Sequence, residues 1–229
     1  MIDDPPLLQV RRHFERPPRH VLSALAGLQT GYVADALGGR GALDHRIKPL
    51  GPLSGTLLGV ALTCHCGPGD NLALFGALHA AEPDDVLVAA ADGFTHTAVA
   101  GDLMMGMARN RGIAGLVTDG LVRDVAGIRA VGLPVFCAGV TPNSPARNGP
   151  GHVGLPVVIG GVQVAAGDVI LGDEDGVVVI PQGLIPQVLA RLPAIRSAER
   201  DLEDKVKAGL EVPGFFLDVL ASGRVKDVP

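Results

Sequence analysis

Between Val86 and Ala138 short apolar runs alternate with helical periodicity, and this alternation limits what the chain can fold into more than any other feature. Val86 to Ala91 is an apolar run that stops at Asp92-Gly93, and Ala98 to Asn110 carries Leu103, Met104 and Met107 on a helix-like face. Ile113 to Thr118 repeats the strand signal, Asp124 to Val131 the helical one, and Leu133 to Ala138 a further strand. Strands and helices at this pace predict βαβ units and a parallel or mixed sheet. Only 3% of the 229 residues are aromatic and none is Trp, so the core rests on Val, Leu, Ile and Ala, which suits strands buried on both faces.

The flanks read differently. Met1 to Arg19 is an irregular arm, and His20 to Leu37 shows helical spacing that Gly27 and Gly31 split into two helices. Gly38 to Pro52 reads as a loop, Leu57 to Thr63 as a strand, and Pro68-Gly69-Asp70 opens a helix to about Ala80 with Asp70 as N-cap. Thr141 to Leu155, marked by Pro145, Gly149, Pro150 and Gly151, reads as a loop or lid. Pro156 to Ile159, Val162 to Ala165, Asp168 to Leu171 and Val177 to Ile180 are brief strands at the spacing of tight hairpins, predicting a compact β layer against the α/β core. From Pro186 the chain is helical and charged through Lys207, and Phe215 to Leu220 forms a short terminal helix. The expected organisation is one domain over 1–229, with an N-terminal arm of about 1–19 and a C-terminal helical segment of about 183–229.

The formal charge of −5 and the absence of a basic block interleaved with aromatics argue against a nucleic-acid face. No apolar run approaches the roughly 20 residues that span a bilayer, so no membrane segment is expected. Cys64, Cys66 and Cys137 form an odd set without CxxC spacing, and no signal-peptide core precedes them, which predicts a reduced, cytoplasmic setting.

Chemistry concentrates in two segments. Gly115-Leu116-Val117-Thr118-Asp119-Gly120-Leu121-Val122-Arg123-Asp124 carries an apolar run into an Asp-Gly turn and then sets a guanidinium beside a carboxylate, an arrangement suited to an anionic substrate held against a divalent metal. Upstream, Gly101-Asp102-Leu103-Met104-Met105 begins a helix whose free N–H groups can receive another carboxylate. Together they suggest carbon–carbon bond chemistry on a small keto acid.

These motifs, with Gly160-Gly161-Val162, Gly167-Asp168 and Asp173-Glu174-Asp175-Gly176-Val177-Val178, resemble the RraA-like family. That family contains metal-dependent 4-hydroxy-4-methyl-2-oxoglutarate and 4-carboxy-4-hydroxy-2-oxoadipate aldolases as well as the regulator of ribonuclease activity A. The resemblance implies a swivelling β/β/α-type fold with a central mixed sheet, flanking helices and assembly into homotrimers or hexamers with active sites between subunits. It implies that Arg123 contacts the pyruvate part of the substrate, that Asp124 binds the metal, and that the amides of Leu103 and Met104, after Gly101, hold the pyruvate carboxylate. It also implies that Asp102 positions a metal-bound water and that Glu199, or Glu203 one turn away, approaches a neighbouring subunit's site. The alternative within the same family is a non-catalytic regulator of ribonuclease E.

Cleaving a 4-hydroxy-2-oxo acid releases a pyruvate enolate, which needs an electron sink: a lysine Schiff base or a Lewis-acidic metal. Only Lys48, Lys205, Lys207 and Lys226 exist; three lie in the charged C-terminal part, and Lys48 sits in a loop with nothing to desolvate it. A metal held by Asp124, water and substrate oxygens is the remaining route, and Mg²⁺ or Mn²⁺ suits such a site. In this reading Arg123 stabilises the enolate oxygen, and Asp102 or Glu199 handles the 4-hydroxyl proton through a water.

Plainer readings stand beside these. Arg123-Asp124 can simply start a helix, Asp119-Gly120 is a turn that aims the residues after it, and Met104, Met105 and Met107 are packing residues. On a strand His65 points away from Cys64 and Cys66, so Cys64-His65-Cys66 is expected to be a core strand rather than a metal site. Gly38-Gly39-Arg40-Gly41 lacks a nucleotide fingerprint, His96 and His152 are weak lid candidates, and Glu199 to Lys207 is a solvated helix face unless a second subunit covers it. Arg46, Lys48 and Arg147 are loop cations available to the distal part of a substrate.

Overall fold

The computed structural model describes residue 4 and residues 6–228; the outermost residues of the expected arm (1–3 and 5) and of the C-terminal segment (229) lie outside the described residues. In chain order the elements are β1 (Leu8–Val10), α1 (Arg19–Leu25), α2 (Thr30–Ala36), β2 (Lys48–Pro49), β3 (Leu57–His65), α3 (Leu72–Ala80), β4 (Asp85–Ala90), β5 (Ala98–Ala100), α4 (Asp102–Asn110), β6 (Gly115–Thr118) and β7 (Leu121–Val122). They continue with α5 (Val125–Val131), β8 (Val135–Cys137), β9 (Gly139–Val140), β10 (Gly151–Val153), β11 (Val157–Ile159), β12 (Val162–Val164), β13 (Val169–Asp173), β14 (Gly176–Ile180), α6 (Ile185–Lys207) and α7 (Gly214–Ala221).

The expected mixed sheet with flanking helices is present. Its main path runs β1-β10-β3-β4-β6-β8-β2, with β3, β4, β6 and β8 parallel. Nine-residue β3 is long enough to carry two partners end to end on one edge, β13 over its first residues and β10 over its last, while β4 occupies the other edge. Side chains of these strands alternate between two cores, as a period of two requires. Leu62, Leu87 and Leu116 pack beneath α3, α4 and α5, whereas Ala61, Val86, Val88, Val117 and Phe136 meet Val157, Ile159 and Val164 of the β11–β12 hairpin. A third core lies between β13–β14 and helices α1, α2 and α6.

Several local expectations change in three dimensions. Only Gly27, at φ +70°, separates the first two helices; Gly31 lies inside α2. Asn71 rather than Asp70 takes the N-cap position of α3, although Asp70 Oδ1 still accepts the Leu72 N–H at 2.8 Å. The expected loops each contain a strand, β2 within Gly38 to Pro52 and β10 within Thr141 to Leu155. The β layer is not separate throughout: β13–β14 joins the main sheet through β3, and only β11–β12 stands alone. Ala98 to Ala100, expected from its periodicity to start a helix, is strand β5 because it pairs with β7; this long-range pairing overrides a neutral local preference.

The pairing of His65 also differs from a plain core position. Cys64 and Cys66 are buried, and His65 faces the other way, as expected, with its Nε2 3.0 Å from Asp92 Oδ1 and its ring stacked on His152 at 5.2 Å. Burial, reinforced by His65, pushes the His152 imidazole below its usual range.

The arm is anchored rather than free. β1 pairs with β10, and Arg16 grips buried Asp85 through Nε–Oδ1 at 3.0 Å and Nη2–Oδ2 at 2.9 Å, with its guanidinium 4.0 Å from the Phe14 ring centroid. The hydrogen bonds it donates to Asp85, reinforced by the charges of Asp85 and Glu82, raise the pKa of Arg16 further. Arg16→Ala leaves a buried carboxylate without its cation, so chemical denaturation is expected to register a loss of about 3 kcal/mol; a midpoint within error of the native protein would show the arm is not part of the stable body.

Candidate functional site

The three-stranded sheet β5-β7-β9 is parallel throughout, so the chain leaves all three strands at the same end. Gly101 follows β5, Arg123 follows β7, and the 141–147 segment follows β9. Backbone bonds tie these exits together, Arg123 N–H donating to Ala100 O at 3.0 Å and Thr141 N–H to Val122 O at 3.0 Å, and the 141–147 segment also accepts the Ala98 N–H from the start of β5 at Asn143 O, 3.0 Å. Ligands of open α/β sheets sit at the carboxyl ends of strands for this geometric reason.

A cleft of about 120 Å³ opens there, lined by Gly101, Asp102, Leu103, Met104, Arg123 and Asp124 together with Asn71, Phe75, Met107, Pro145 and Arg147. The fold therefore gathers six of the seven residues singled out from the sequence, all but Glu199. The larger groove of about 580 Å³ beside Ala24, Leu189 and Arg196 has no carboxylate in its lining.

Asp124 takes the N-cap position of α5 in a left-handed conformation, φ 58° and ψ 45°, but its side chain makes no cap hydrogen bond. The plain reading of a helix-starting carboxylate thus fails at the side chain: Oδ2 turns instead to Arg123 Nε at 3.2 Å. A non-glycine residue held at positive φ costs about 1 kcal/mol or more, strain that clusters at functional positions. Arg123 also donates through Nη1 to the Ser144 hydroxyl, so its fork is oriented from two sides. Both side chains stay partly open to solvent, at 35% and 43%.

Two glycines make this approach possible. A Cβ on Gly101 would lie 2.5 Å from Asp124 Oδ2 and 3.1 Å from Arg123 Cγ; one on Gly127 would lie 2.5 Å from Asp102 Oδ2. Asp102, the first residue of α4, occupies the space left at Gly127, and its Oδ1 accepts the Leu103 N–H at 2.7 Å. One of the amides expected to hold a substrate carboxylate is therefore engaged by Asp102 here. Leu103 itself projects outward, 77% exposed, while Met104 and Met105 are core residues, in keeping with a packing role.

The remaining candidates are placed elsewhere. Glu199 lies on the exposed outer part of α6 and does not line this chain's cleft, and Glu203 is paired with Lys207 at 2.6 Å. Arg46 pairs with Asp44, whose carboxyl it holds well below the usual range, and Lys48 donates to Asp175 O, so neither reaches the cleft; Arg147 does. Asp119 is the expected aiming turn: its carboxylate accepts the N–H groups of Ala91 (2.7 Å) and Gly93 (3.0 Å), and burial raises its pKa. Asn71, Ser144 and Gly127 are not legible as site residues in the sequence. Each acts through a contact with a distant segment, and only the polar Pro-Asn-Ser-Pro stretch at 142–145 hints at one of them. Among the described residues no group of three or more His, Cys, Asp or Glu is arranged to hold a metal, and no helix is long and apolar enough to cross a membrane.

Comparison with known proteins agrees with this architecture. A family model described as RraA-like, Aldolase/RraA, matches residues 30–179, a span that includes every cleft residue and stops before α6. A protein of Halalkalibacterium halodurans, provisionally named a 4-hydroxy-4-methyl-2-oxoglutarate aldolase, is 40% identical over 185 residues, 79% of this chain and 88% of its own length. Among solved structures, Streptomyces coelicolor RraAS2, described as an unusual member of the RNase ES inhibitor RraA protein family, matches with a TM-score of 0.72 at 27% identity over 86% of this chain and 100% of its own. The RNA-processing inhibitor RraA from Thermus thermophilis matches with a TM-score of 0.62 at 29% identity, covering 67% of this chain and 93% of its own.

Gly101→Ala is expected to keep the fold while displacing the Asp124 carboxylate, visible in a crystal structure of the variant. A displacement of about 1 Å is expected to cost about 100-fold in turnover at the cleft; native turnover with a displaced Asp124 would show that its position is not used.

Proposed function

The chain belongs to the RraA-like family, and on that premise we propose that it is a divalent-metal-dependent aldolase that cleaves 4-hydroxy-2-oxo di- or tricarboxylic acids, such as 4-hydroxy-4-methyl-2-oxoglutarate, to pyruvate and a second keto acid. The observation that carries the reading is the meeting of Arg123 and Asp124 with the start of α4 in one small cleft. The 40% identical relative supports the same chemistry.

Asp124 fits a hydrated Mg²⁺ or Mn²⁺: it offers a hard carboxylate oxygen, partly exposed, facing the space that a side chain at Gly101 would fill. When bound, such an ion supplies Lewis acidity at the 2-oxo group. The protein's own residues do the rest. The first turn of α4 receives the substrate's C1 carboxylate. Removal of the 4-hydroxyl proton forms the new carbonyl as the C3–C4 bond breaks, and its electron pair passes to the 2-oxo oxygen as an enolate. Arg123, oriented by Asp124 and Ser144, meets that growing charge and so favours the transition state over the bound substrate. Asp102 holds the proton through a water, and protonation of the enolate at C3 releases pyruvate. The same enolate would form on loss of CO₂ from oxaloacetate, which makes decarboxylation a natural side activity. No lysine lines the cleft among the described residues, in keeping with a route that needs no Schiff base.

Assembly into trimers or hexamers belongs to this proposal. The outer turns of α6 and all of α7 bury nothing within the chain, and Leu202 and Phe215 are 47% and 70% exposed. A neighbouring copy would cover them and bring a Glu199 toward the cleft. The rival reading, a non-catalytic regulator of ribonuclease E, draws on the likeness to the Thermus thermophilis inhibitor.

Pyruvate release from 4-hydroxy-4-methyl-2-oxoglutarate is expected with Mg²⁺ or Mn²⁺ and to vanish with chelator. No release, with oxaloacetate also untouched, would favour the regulator. Arg123→Ala is expected to lower kcat by at least about 100-fold with the fold intact. In Asp124→Ala the metal should no longer activate; a normal Mn²⁺ titration of activity would remove Asp124 as ligand.

A further inference from the structure

We propose that His65 and His152 form an acid-sensitive latch: they hold β10, and with it the N-terminal arm, on the edge of the sheet while His152 is neutral, and let it loosen when both rings carry protons. The latch is independent of the chemistry assigned to the cleft.

The two histidines are cross-strand partners where β10 meets the last residue of β3, and their rings stack at 5.2 Å with 19° between planes. Stacked rings send their nitrogen lone pairs along nearly parallel planes, so one metal ion does not suit both, and what they share is charge. Among the described residues one carboxylate serves them. Asp92, in a left-handed conformation at φ 54°, sets both oxygens against His65 Nε2, at 3.0 and 3.1 Å, and so offers a counter-charge to that ring. His152 lacks such a partner: its Nδ1 is buried and meets no hydrogen-bonding group among the described residues. In the neutral ring this nitrogen can be the bare one; in the imidazolium it must carry a hydrogen, for which there is no acceptor.

The neighbouring elements bring no compensating anion. β1 places the uncharged Gln9 at the register position beside His152, and Arg11, which follows β1 and donates its N–H to Val153 O, is exposed and cationic. α3, whose one titratable residue is exposed His79 in its last turn, packs on the opposite face, where a Cβ at Gly76 would meet Val153 and one at Gly151 would meet Ala73. Asp70 and Asp119 commit their carboxylates to backbone N–H groups, of Leu72 and Asn148 and of Ala91 and Gly93. Burial, and then the charge of His65, therefore favour neutral His152 in the folded chain. An imidazole whose pKa is lowered by folding contributes stability that is fully present above its unfolded value of about 6.5 and is lost as pH falls below it. The element that bears the loss is weak: β10 pairs with β3 through His152 and Val153 alone, and β10 is the one strand partner of β1 among the described residues.

The test is hydrogen–deuterium exchange of the full chain well above and well below about pH 6.5, corrected for the intrinsic pH dependence of exchange. Peptides covering 7–11 and 149–154 are expected to lose about ten-fold of their protection on the acid side, the factor carried by one unit of pKa difference, while β4 keeps its own. In His152→Gln the acid response of these peptides is expected to vanish. In His65→Gln, which keeps His152 but removes the neighbouring charge, the response is expected to shrink, and this variant decides the matter should His152→Gln fold poorly. The NMR titration of the His152 ring should have its midpoint below about 6.5 in the native chain and a higher one in His65→Gln. An unchanged acid response in either variant, a His152 midpoint at or above the unfolded value, or loss of protection in β4 together with the arm overturns the latch.

Discussion

Parallel pairing of three very short strands is the constraint on which the site depends. β5, β7 and β9 are two or three residues each, too short to be stable by themselves, and β5 and β7 are buried against the main core. Since all three run the same way, their ends deliver Gly101, Arg123 and the 141–147 segment to one place. Had any of them been antiparallel, the residues after it would have emerged on the opposite side of the molecule, and the guanidinium, the carboxylate and the start of α4 would not share a cleft.

Within that frame, absence of side chains matters as much as their presence. Gly101 and Gly127 let two carboxylates lie where a methyl group would clash, one beside Arg123 and one at the first turn of α4. The strained backbone of Asp124 is tolerated because the Arg123 N–H to Ala100 O bond holds the residue before it and the Ile128 N–H to Asp124 O bond starts the helix after it. The result is a carboxylate not spent on capping its own helix. A hydrated cation and an anionic substrate both require a locally charged site of this kind, because the general negative charge of the chain does not attract the substrate.

The α6 helix follows another logic. Ile185, Val188 and Leu192 bury one face near its start, against the third core, while its later turns meet only solvent within the chain. At 1.5 Å per residue the 23-residue helix extends about 35 Å, so its far end stands well beyond its anchoring contacts. A charged helix projecting in this way cannot act on its own cleft, which is why any role for Glu199 belongs to an assembly.

Legibility differs from element to element. The β/α alternation from Val86 to Ala138, the hairpin strands after Pro156 and the long C-terminal helix arise from hydrophobic period and turn residues, which are local quantities; the Gly101-Asp102 and Arg123-Asp124 motifs are equally local, but the roles assigned to them come from the family resemblance. β5, β10 and β2 lie hidden in stretches with the local character of helix or loop, because strands this short exist only through partners far away in the chain. The roles of Asn71, Ser144 and Gly127 are hidden for the same reason. By itself the sequence determined which residue types were available and which segments would alternate between strand and helix. Tertiary structure alone decided which of them meet, because pairing direction and close approach are set by contacts between segments tens of residues apart, and no local pattern records them.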